Sequence, residues 1–439
     1  MNHPLISGKA AVGAVAHGHP DPDDSASGTC ALEVRRAVAR VRFAEPCAPG
    51  RVAAALGRTA ERWRQRNFEP RRDTIRKLAT ALEMAPELLD ESLEALLEPL
   101  GRDRLYSLAA NLPAAPRLFG FLMPGNVPGA GIHEVCAAML AGAGVVIKAA
   151  SAEPFFFAGF IGSLAEIDAA VAARVAVVSF GRGDASAMRE VWASCDGGVV
   201  AYGDDATIAA LEAGRGARPL AGFASRLSGA LVVPAADVDT APAAAAQAAA
   251  AGLARDVTLF EQRGCLSPHH VFVVGGAGQA RRFAARLARA LEQAARRLAR
   301  PRRLPLDAAA SIRALRERAR WRALAQRPGD DVALWEGDGM GWTVLFDGDS
   351  DFCVSPGFRT VHVSALAEPT ELTVRLGDAA GRLEAFALAA APNLRPHLES
   401  QLMSLGVTYV CEPGRMQSPP LDWLHGGGKF LELLRACVR

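Results

Sequence analysis

Lysine is nearly missing from this 439-residue chain: only Lys9, Lys77, Lys148 and Lys429 stand among 49 basic residues. Arginine supplies the rest of the positive charge. Together with abundant alanine this reads as a codon-composition bias, yet it makes each remaining lysine worth inspecting. Charge of one sign is lacking too, since 47 acidic residues leave a formal balance of +2, which gives no global argument for nucleic-acid or membrane binding. No apolar run reaches the length of a spanning helix, and Met1 to Ala16 hold no apolar core behind a basic start. A cytoplasmic, reducing location is expected. The eight cysteines show neither the close pairing of zinc or disulfide-exchange motifs nor recurring spacings, and no His/Cys/carboxylate cluster has metal-ligand spacing, so no metal is expected. A full Gly-x-Gly-x-x-Gly fingerprint is absent, which removes the usual dinucleotide argument.

Half of the residues are apolar, enough for a large core, and the length predicts two or three domains. Residues 1–50 are rich in Gly, Pro, Asp and Ser, as in Gly18-His19-Pro20-Asp21-Pro22-Asp23-Asp24, and read as a mobile or loosely packed extension. From Arg51 to about Ala110 leucines recur at three-to-four spacing, the period of amphipathic helices, and Pro86 opens a new one. Short apolar runs then alternate with helical segments: strands at 118–123, 144–148, 175–178 and 198–202, with helices at about 133–141, 155–169 and 185–193 between them. This alternation predicts an α/β fold with a parallel, Rossmann-type sheet covered on both faces, the ligand lying beyond the carboxyl ends of its strands. The expected domains are 51–230 for that unit with its helical lead, 231–410 for a second α/β unit, and 411–439 for a segment packing back on the core. The second unit holds an alanine-rich helix at 243–254, a strand at 271–274, an arginine-rich helix from Arg281 to Arg300, a basic helix within 301–331, and strands at 342–346 and 360–363.

The stretch Phe260-Glu261-Gln262-Arg263-Gly264-Cys265-Leu266-Ser267-Pro268-His269-His270 sets Cys265 in a glycine-flanked turn between a helix and a strand. A nucleophile is displayed in such a loop, with backbone N–H groups beside it to hold an oxyanion. Free cysteines are also common core filler, and local context leaves both readings open. Asn126, in Met123-Pro124-Gly125-Asn126-Val127-Pro128, can donate to an oxyanion or simply turn the chain. Lys148 ends a strand before Ala149-Ala150-Ser151-Ala152-Glu153-Pro154, where Lys148, Ser151 and helix N–H groups can face a ribose or phosphate; Ser151 can equally be a helix cap. Glycine turns at Gly181 and Gly203 follow strands. Basic helices around Arg281-Arg282, Arg296-Arg297 and Arg300 to Arg303 can meet phosphates of a coenzyme or an acidic carrier, or stay solvated.

The order of these signals resembles the aldehyde dehydrogenase superfamily, and within it the acyl-CoA reductase family typified by the fatty-acid reductase of bacterial bioluminescence. The residues that carry it are Gly125-Asn126-Val127-Pro128, Val146-Ile147-Lys148-Ala149-Ala150-Ser151, Ala201-Tyr202-Gly203, Arg226-Leu227-Ser228-Gly229 and Gly264-Cys265-Leu266-Ser267-Pro268. The similarity runs from about Arg51 to the C-terminus, strongest from Phe119 to Val274. It implies an aldehyde dehydrogenase-like fold, Cys265 and Asn126 as catalytic residues, and Lys148, Ser151, Gly181, Gly203 and Ser228 around a nicotinamide cofactor. Hydrolytic members carry a glutamate just before the Leu-Gly-Gly turn to activate water; here Arg226 stands there, so no carboxylate base is expected at that place. His269 replaces a glutamine usual in related reductases and is read as capping a strand.

The resemblance therefore implies reduction of an acyl thioester, on coenzyme A or a carrier protein, to an aldehyde. The donor is NADPH and the intermediate an acyl group on Cys265. A homo-oligomer and an acyl-supplying partner enzyme are expected with it. The alternatives are a cysteine-dependent acyltransferase that does not reduce, and a non-catalytic scaffold on the same fold.

Overall fold

A computed structural model of the chain describes residues 24–234, 241–298, 304–325 and 331–437. Val, Ile, Leu and Phe fill the core strands, and two sheets result. The first contains β1 (Leu118–Leu122), β2 (Gly144–Lys148), β3 (Val175–Val178), β4 (Gly198–Tyr202) and β5 (Leu220–Phe223), all parallel, in the order β3-β2-β1-β4-β5. The second contains β6 (Leu227–Val232), β7 (Pro268–Val274), β8 (Val332–Glu336), β9 (Thr343–Asp347), β10 (Thr360–Leu366), β11 (Leu383–Ala389) and β12 (Tyr409–Cys411), ordered β12-β11-β6-β7-β10-β9-β8. Only β8 runs antiparallel to its neighbour. The chain changes sheet across 224–226, a few residues ahead of the boundary expected at 231.

Strands buried on both faces need helices on both faces. On one side of the first sheet, helix Ile132–Leu140 has all nine residues buried beneath helices Pro49–Trp63 and Arg102–Asn111. On the other side, helix Asp24–Phe43 packs on helix Ala185–Ser194, burying Val34, Ala37, Val38 and Val41. This corrects the reading of residues 1–50 as loosely packed: the valine and alanine spacing gives this part of the extension an apolar face to bury. The Gly/Pro-rich start up to Asp23 and the basic run Arg300 to Arg303 lie outside the described residues. No described helix is long and apolar enough to cross a membrane.

The C-terminal stretch leaves β12 in the second sheet and returns to the first. Along the way Gly414 and Met416 N–H groups donate to the buried Asp256 carboxylate, Arg415 forks onto Glu98 at 2.7 Å, and Ser418 donates to the Ala95 carbonyl. Helix Lys429–Ala436 then packs on β5, with Phe430 edge-on to Phe119 and Phe121. A turn carrying His425 is thereby held between the two units.

Candidate active site

The alanine-rich helix ends at Thr258, and the chain reaches Cys265 through three consecutive left-handed residues, Phe260, Glu261 and Gln262, with φ near +53° to +57°. Such backbone costs about 1–3 kcal/mol per residue and persists only where its surroundings dictate it. Here they do. The Glu261 carboxylate accepts from Arg359 at 2.6 Å with both side chains fully buried, and the Arg359 guanidinium also donates to the Leu298 carbonyl. The Gln262 amide donates to the Pro268 and Thr360 carbonyls and accepts from the Thr360 N–H. The loop is thus sewn to the segment before β10.

Cys265 is half-buried. Its carbonyl accepts from the Ser228 hydroxyl at 2.6 Å, and its N–H donates to no acceptor among the described residues. The Asn126 amide donates to the Arg263 carbonyl at 2.7 Å, which brings the Pro-Gly-Asn turn to the cysteine loop and leaves one amide hydrogen over. Gly264 packs against Val127, where an added Cβ would stand 3.4 Å from its methyl. The two residues read as catalytic are therefore brought to one place.

Two further residues join them that the sequence did not reveal. The His425 imidazole bonds the Glu134 carboxylate through Nδ1 at 2.8 Å, leaving Nε2 for the cysteine. Burial opposes a charged imidazole, but the Glu134 charge and the neighbouring Cys265 sulfur outweigh it, and His425 is raised to about 10. For Glu134, burial pushes upward and His425 pulls down more strongly, to about 2. His425 is also stacked between Phe223 (centroids 4.2 Å) and Trp423 (4.4 Å), with Tyr202 beside both Phe223 (5.0 Å) and His425 (5.9 Å). The chain marks these residues only faintly: Glu134 is the one acid in a helix whose other residues, His133 apart, are apolar, and His425 precedes a run of three glycines.

The expected cofactor residues divide. At the carboxyl end of β2 the Lys148 ammonium lies over the Phe180 ring, 5.4 Å from its centroid, and burial and then the nearby Arg182 lower its pKa. Neither cation forms an ion pair among the described residues, although the Arg182 charge is felt by Asp204 after β4. Ser151 is exposed beside them and is not the cap of the next helix; Glu153 takes that role, accepting from the Phe155 and Phe156 N–H groups. Gly181 has open space on its Cβ side, whereas Gly203 packs on Thr207. Ser228 departs from expectation. Its buried hydroxyl donates to the Cys265 carbonyl and accepts from the Ala385 N–H, which makes it a support of the nucleophile loop rather than a surface for a cofactor. His269 accepts from the Ser355 N–H through Nδ1, and burial lowers its pKa to about 4. Arg226 turns away to the Gly381 carbonyl and lies 4.0 Å from Glu384. A base is nonetheless present near Cys265, contributed by His425 and Glu134 from elsewhere in the chain.

Lined in part by Glu134 and His425, a small cleft opens between helices Arg102–Asn111 and Ile132–Leu140 and the C-terminal stretch, with Leu108, Leu112, Ala137, Leu424 and Leu431 among its apolar walls.

A cysteine loop and a Rossmann-type sheet arranged in this way define an aldehyde dehydrogenase-like protein. The fold is shared with an oxidoreductase from Marinobacter aquaeolei (TM-score 0.65, 16% identity, 88% of this chain and 83% of that one). It is shared as well with an NADP-dependent glyceraldehyde-3-phosphate dehydrogenase from Bacillus halodurans (TM-score 0.63, 14% identity, 87% and 83%). The family model for acyl-CoA reductase (LuxC) matches residues 113–436, and the chain belongs to that family. A long-chain acyl-protein thioester reductase 2 from Photobacterium leiognathi is 27% identical over 157 residues, which are 35% of this chain and 31% of that relative's length.

Two predictions follow from the site. Arg359→Ala leaves the fully buried Glu261 without its guanidinium, and losing one partner of a buried pair costs about 3–5 kcal/mol; urea unfolding should show a shift of that order, and Cys265 should alkylate more slowly as its loop loosens. The second concerns pH. A histidine raised to about 10 stabilises fully below its ordinary 6.5 and loses that contribution as pH climbs through 10, while a carboxylate held at about 2 loses its own only as pH falls from 4.5 towards 2. Urea unfolding at both ends of the alkaline window should show wild type weakening with rising pH and Glu134→Gln responding much less.

Proposed function

We propose that the chain reduces an acyl thioester to the aldehyde with NADPH, through an acyl-enzyme on Cys265. The observation that carries this reading is the meeting of Cys265 with the His425–Glu134 pair, beside the Asn126 turn, in a member of the acyl-CoA reductase family. With His425 protonated beside it, Cys265 attacks the thioester carbonyl as a thiolate. The Cys265 N–H and the remaining Asn126 amide hydrogen hold the oxyanion. When the tetrahedral centre collapses the carbon–sulfur bond to the carrier breaks, and His425 returns its proton to the departing thiolate. Exchange of one thioester for another is nearly balanced, so little more is needed from the protein. A nicotinamide cofactor, when bound, would supply the hydride that reduces the acyl carbon, with Lys148, Arg182 and Ser151 the residues to hold it. Cys265 then leaves as thiolate, releasing aldehyde, while Ser228 and Gln262 keep its loop in place. The cleft behind His425 accepts the acyl chain along its leucines.

NADPH is favoured over NADH by the unpaired Lys148 and Arg182, which suit a dianionic ribose phosphate within reach of the Ser151 hydroxyl. A coenzyme A or carrier-protein tether would approach from outside. Arg182→Ala should raise KM for NADPH about tenfold or more, while leaving KM for NADH within about twofold, as the loss of one phosphate contact implies.

The direct test is to mix the protein with NADPH and acyl thioesters of coenzyme A and of a carrier protein, following cofactor absorbance and free thiol together. Both signals should appear and both vanish in Cys265→Ala; undiminished turnover in that variant removes the nucleophile. His425→Asn should lower kcat by about 10²–10⁴, the usual worth of a positioned acid–base group. Thiol release without cofactor oxidation would instead establish the acyltransferase reading, which the His425 base also serves.

A further inference from the structure

Leucines supply most of the apolar wall of the cleft beside the candidate active site, and polar side chains enter it from His133, Glu134, Asp422, Trp423 and His425. Four of these five are already answered. Glu134 and His425 bond each other at 2.8 Å, the Trp423 N–H donates to the Thr408 hydroxyl at 3.0 Å, and Asp422 is exposed to solvent. His133 is the exception. It lies in helix Ile132–Leu140, is only 9% exposed, and its Nε2 is shut off from water with no hydrogen-bond partner among the described residues. Buried polar atoms are nearly always paired in a folded protein, so an unpaired one on a residue that lines a cleft points to a ligand.

The protonation of the ring decides what kind of ligand it can take. Burial, joined by the charge on His425, outweighs the pull of Glu134 and lowers the His133 pKa, so the imidazole is neutral. One of its nitrogens then carries a proton and the other a lone pair. The Leu96 carbonyl lies near enough to favour the N–H, which turns the proton toward Leu96 and leaves the lone pair over. A lone pair needs a donor. A plain alkyl chain has none, and neither has a keto or ether oxygen, whereas a hydroxyl supplies one.

We infer that the cleft receives an acyl chain bearing a hydroxyl group, which donates to the His133 imidazole while the rest of the chain lies along the leucines. This rests on the proposed reading of the cleft as the acyl site, and it narrows the substrate class from acyl thioesters in general to hydroxylated ones. His133 adjoins Glu134 in the helix and is close enough to feel the His425 charge, so a chain reaching from Cys265 past His425 meets it. An unsubstituted chain can enter the same space, but it leaves the nitrogen without a partner. That difference is the source of the discrimination.

The test separates binding from turnover. Decanoyl-CoA, and decanoyl-CoA hydroxylated at the third or at the last carbon, are titrated calorimetrically into Cys265→Ala and into the same variant carrying His133→Leu or His133→Gln. A hydroxylated chain should bind about tenfold tighter or more than the plain one, as a hydrogen bond to an otherwise unpaired buried nitrogen implies. His133→Leu should erase that preference without weakening the plain chain, and His133→Gln, whose amide oxygen can accept from a hydroxyl, should keep part of it. Equal affinity for the three chains overturns the inference, since water then answers the nitrogen as well as a ligand does. A preference that survives His133→Leu overturns it too, as does failure of every chain to bind. Turnover is read apart, from NADPH oxidation by wild type. A hydroxyl preference in binding without oxidation keeps the inference and removes the reductase reading, whereas oxidation with all three chains at equal kcat/KM and equal affinity removes the hydroxyl and keeps reduction.

Discussion

The Glu134 carboxylate and the His425 imidazole sit out of water, and neither is tolerable there alone. Burying one ionised group costs several kcal/mol even after relaxation, and that cost is offset only by an opposite charge at hydrogen-bond distance. The two are 291 positions apart in the chain and meet at 2.8 Å. Glu134 belongs to the all-buried helix under the first sheet, His425 to the stretch returning from the second sheet, and Cys265 to the loop that opens β7. The pair can form only when both sheets and the C-terminal return are in register, so assembly of the fold and assembly of the nucleophile's base are one event. The anchors along that return act toward the same end. Glu384 accepts from the Gly426 N–H, the Lys429 ammonium donates to the Gly222 carbonyl, and the Arg415–Glu98 fork fixes the crossing point.

The cysteine is held by a different principle. Its loop contains backbone that ordinary residues avoid, and the conformation survives because polar groups bind it on every side: the buried Arg359 on Glu261, Thr360 on Gln262 and Ser228 on the Cys265 carbonyl, and the exposed Asn126 on the Arg263 carbonyl. Gln417, from the C-terminal return, adds a bond to the Ser267 hydroxyl. Held in this way the sulfur has few ways to move, and the N–H beside it is kept out of helix or strand pairing. Rigidity of this kind is what allows a small set of donors to act on a developing charge without reorganising.

Signals contained in a few consecutive residues could be read from the sequence alone. Alternating apolar runs gave the parallel sheet, and the Pro-Gly-Asn and Arg-Gly-Cys turns pointed to Asn126 and Cys265, because a turn declares itself through glycine and proline. Glu134 and His425 escaped because each is unremarkable in its own segment and acquires meaning only through the other. The bonds of Ser228 were not legible for a related reason: in sequence it belongs to a strand at the sheet change, and its hydroxyl meets the cysteine loop where a bulge pairs it with Pro268. At the first cofactor turn, serine at Ser151 carried the usual sign of a helix cap, yet the longer reach of Glu153 satisfies the N–H groups and leaves the hydroxyl free. The extension was misjudged in part because its Gly/Pro-rich start masked the valine and alanine face that follows.

Substitution of the glutamate that precedes the Leu-Gly-Gly turn in hydrolytic relatives takes on a sharper sense beside this geometry. Arg226 faces Gly381 and Glu384, so the position is structural, and on the proposed reading His425 supplies the acid–base group instead. A carboxylate at that place would be a base throughout the cycle and could draw a proton from water whenever the acyl-enzyme stood waiting. A histidine raised by Glu134 is instead protonated in the resting site, and on the proposed reading it serves first as the acid that releases the carrier thiol. It becomes a base only after that proton is given up, and regains it readily because the Glu134 charge favours the imidazolium. On the proposed reading, an imidazole that takes a proton back from solvent before hydride arrives is no longer a base toward water, and the Glu134 charge favours that reprotonation.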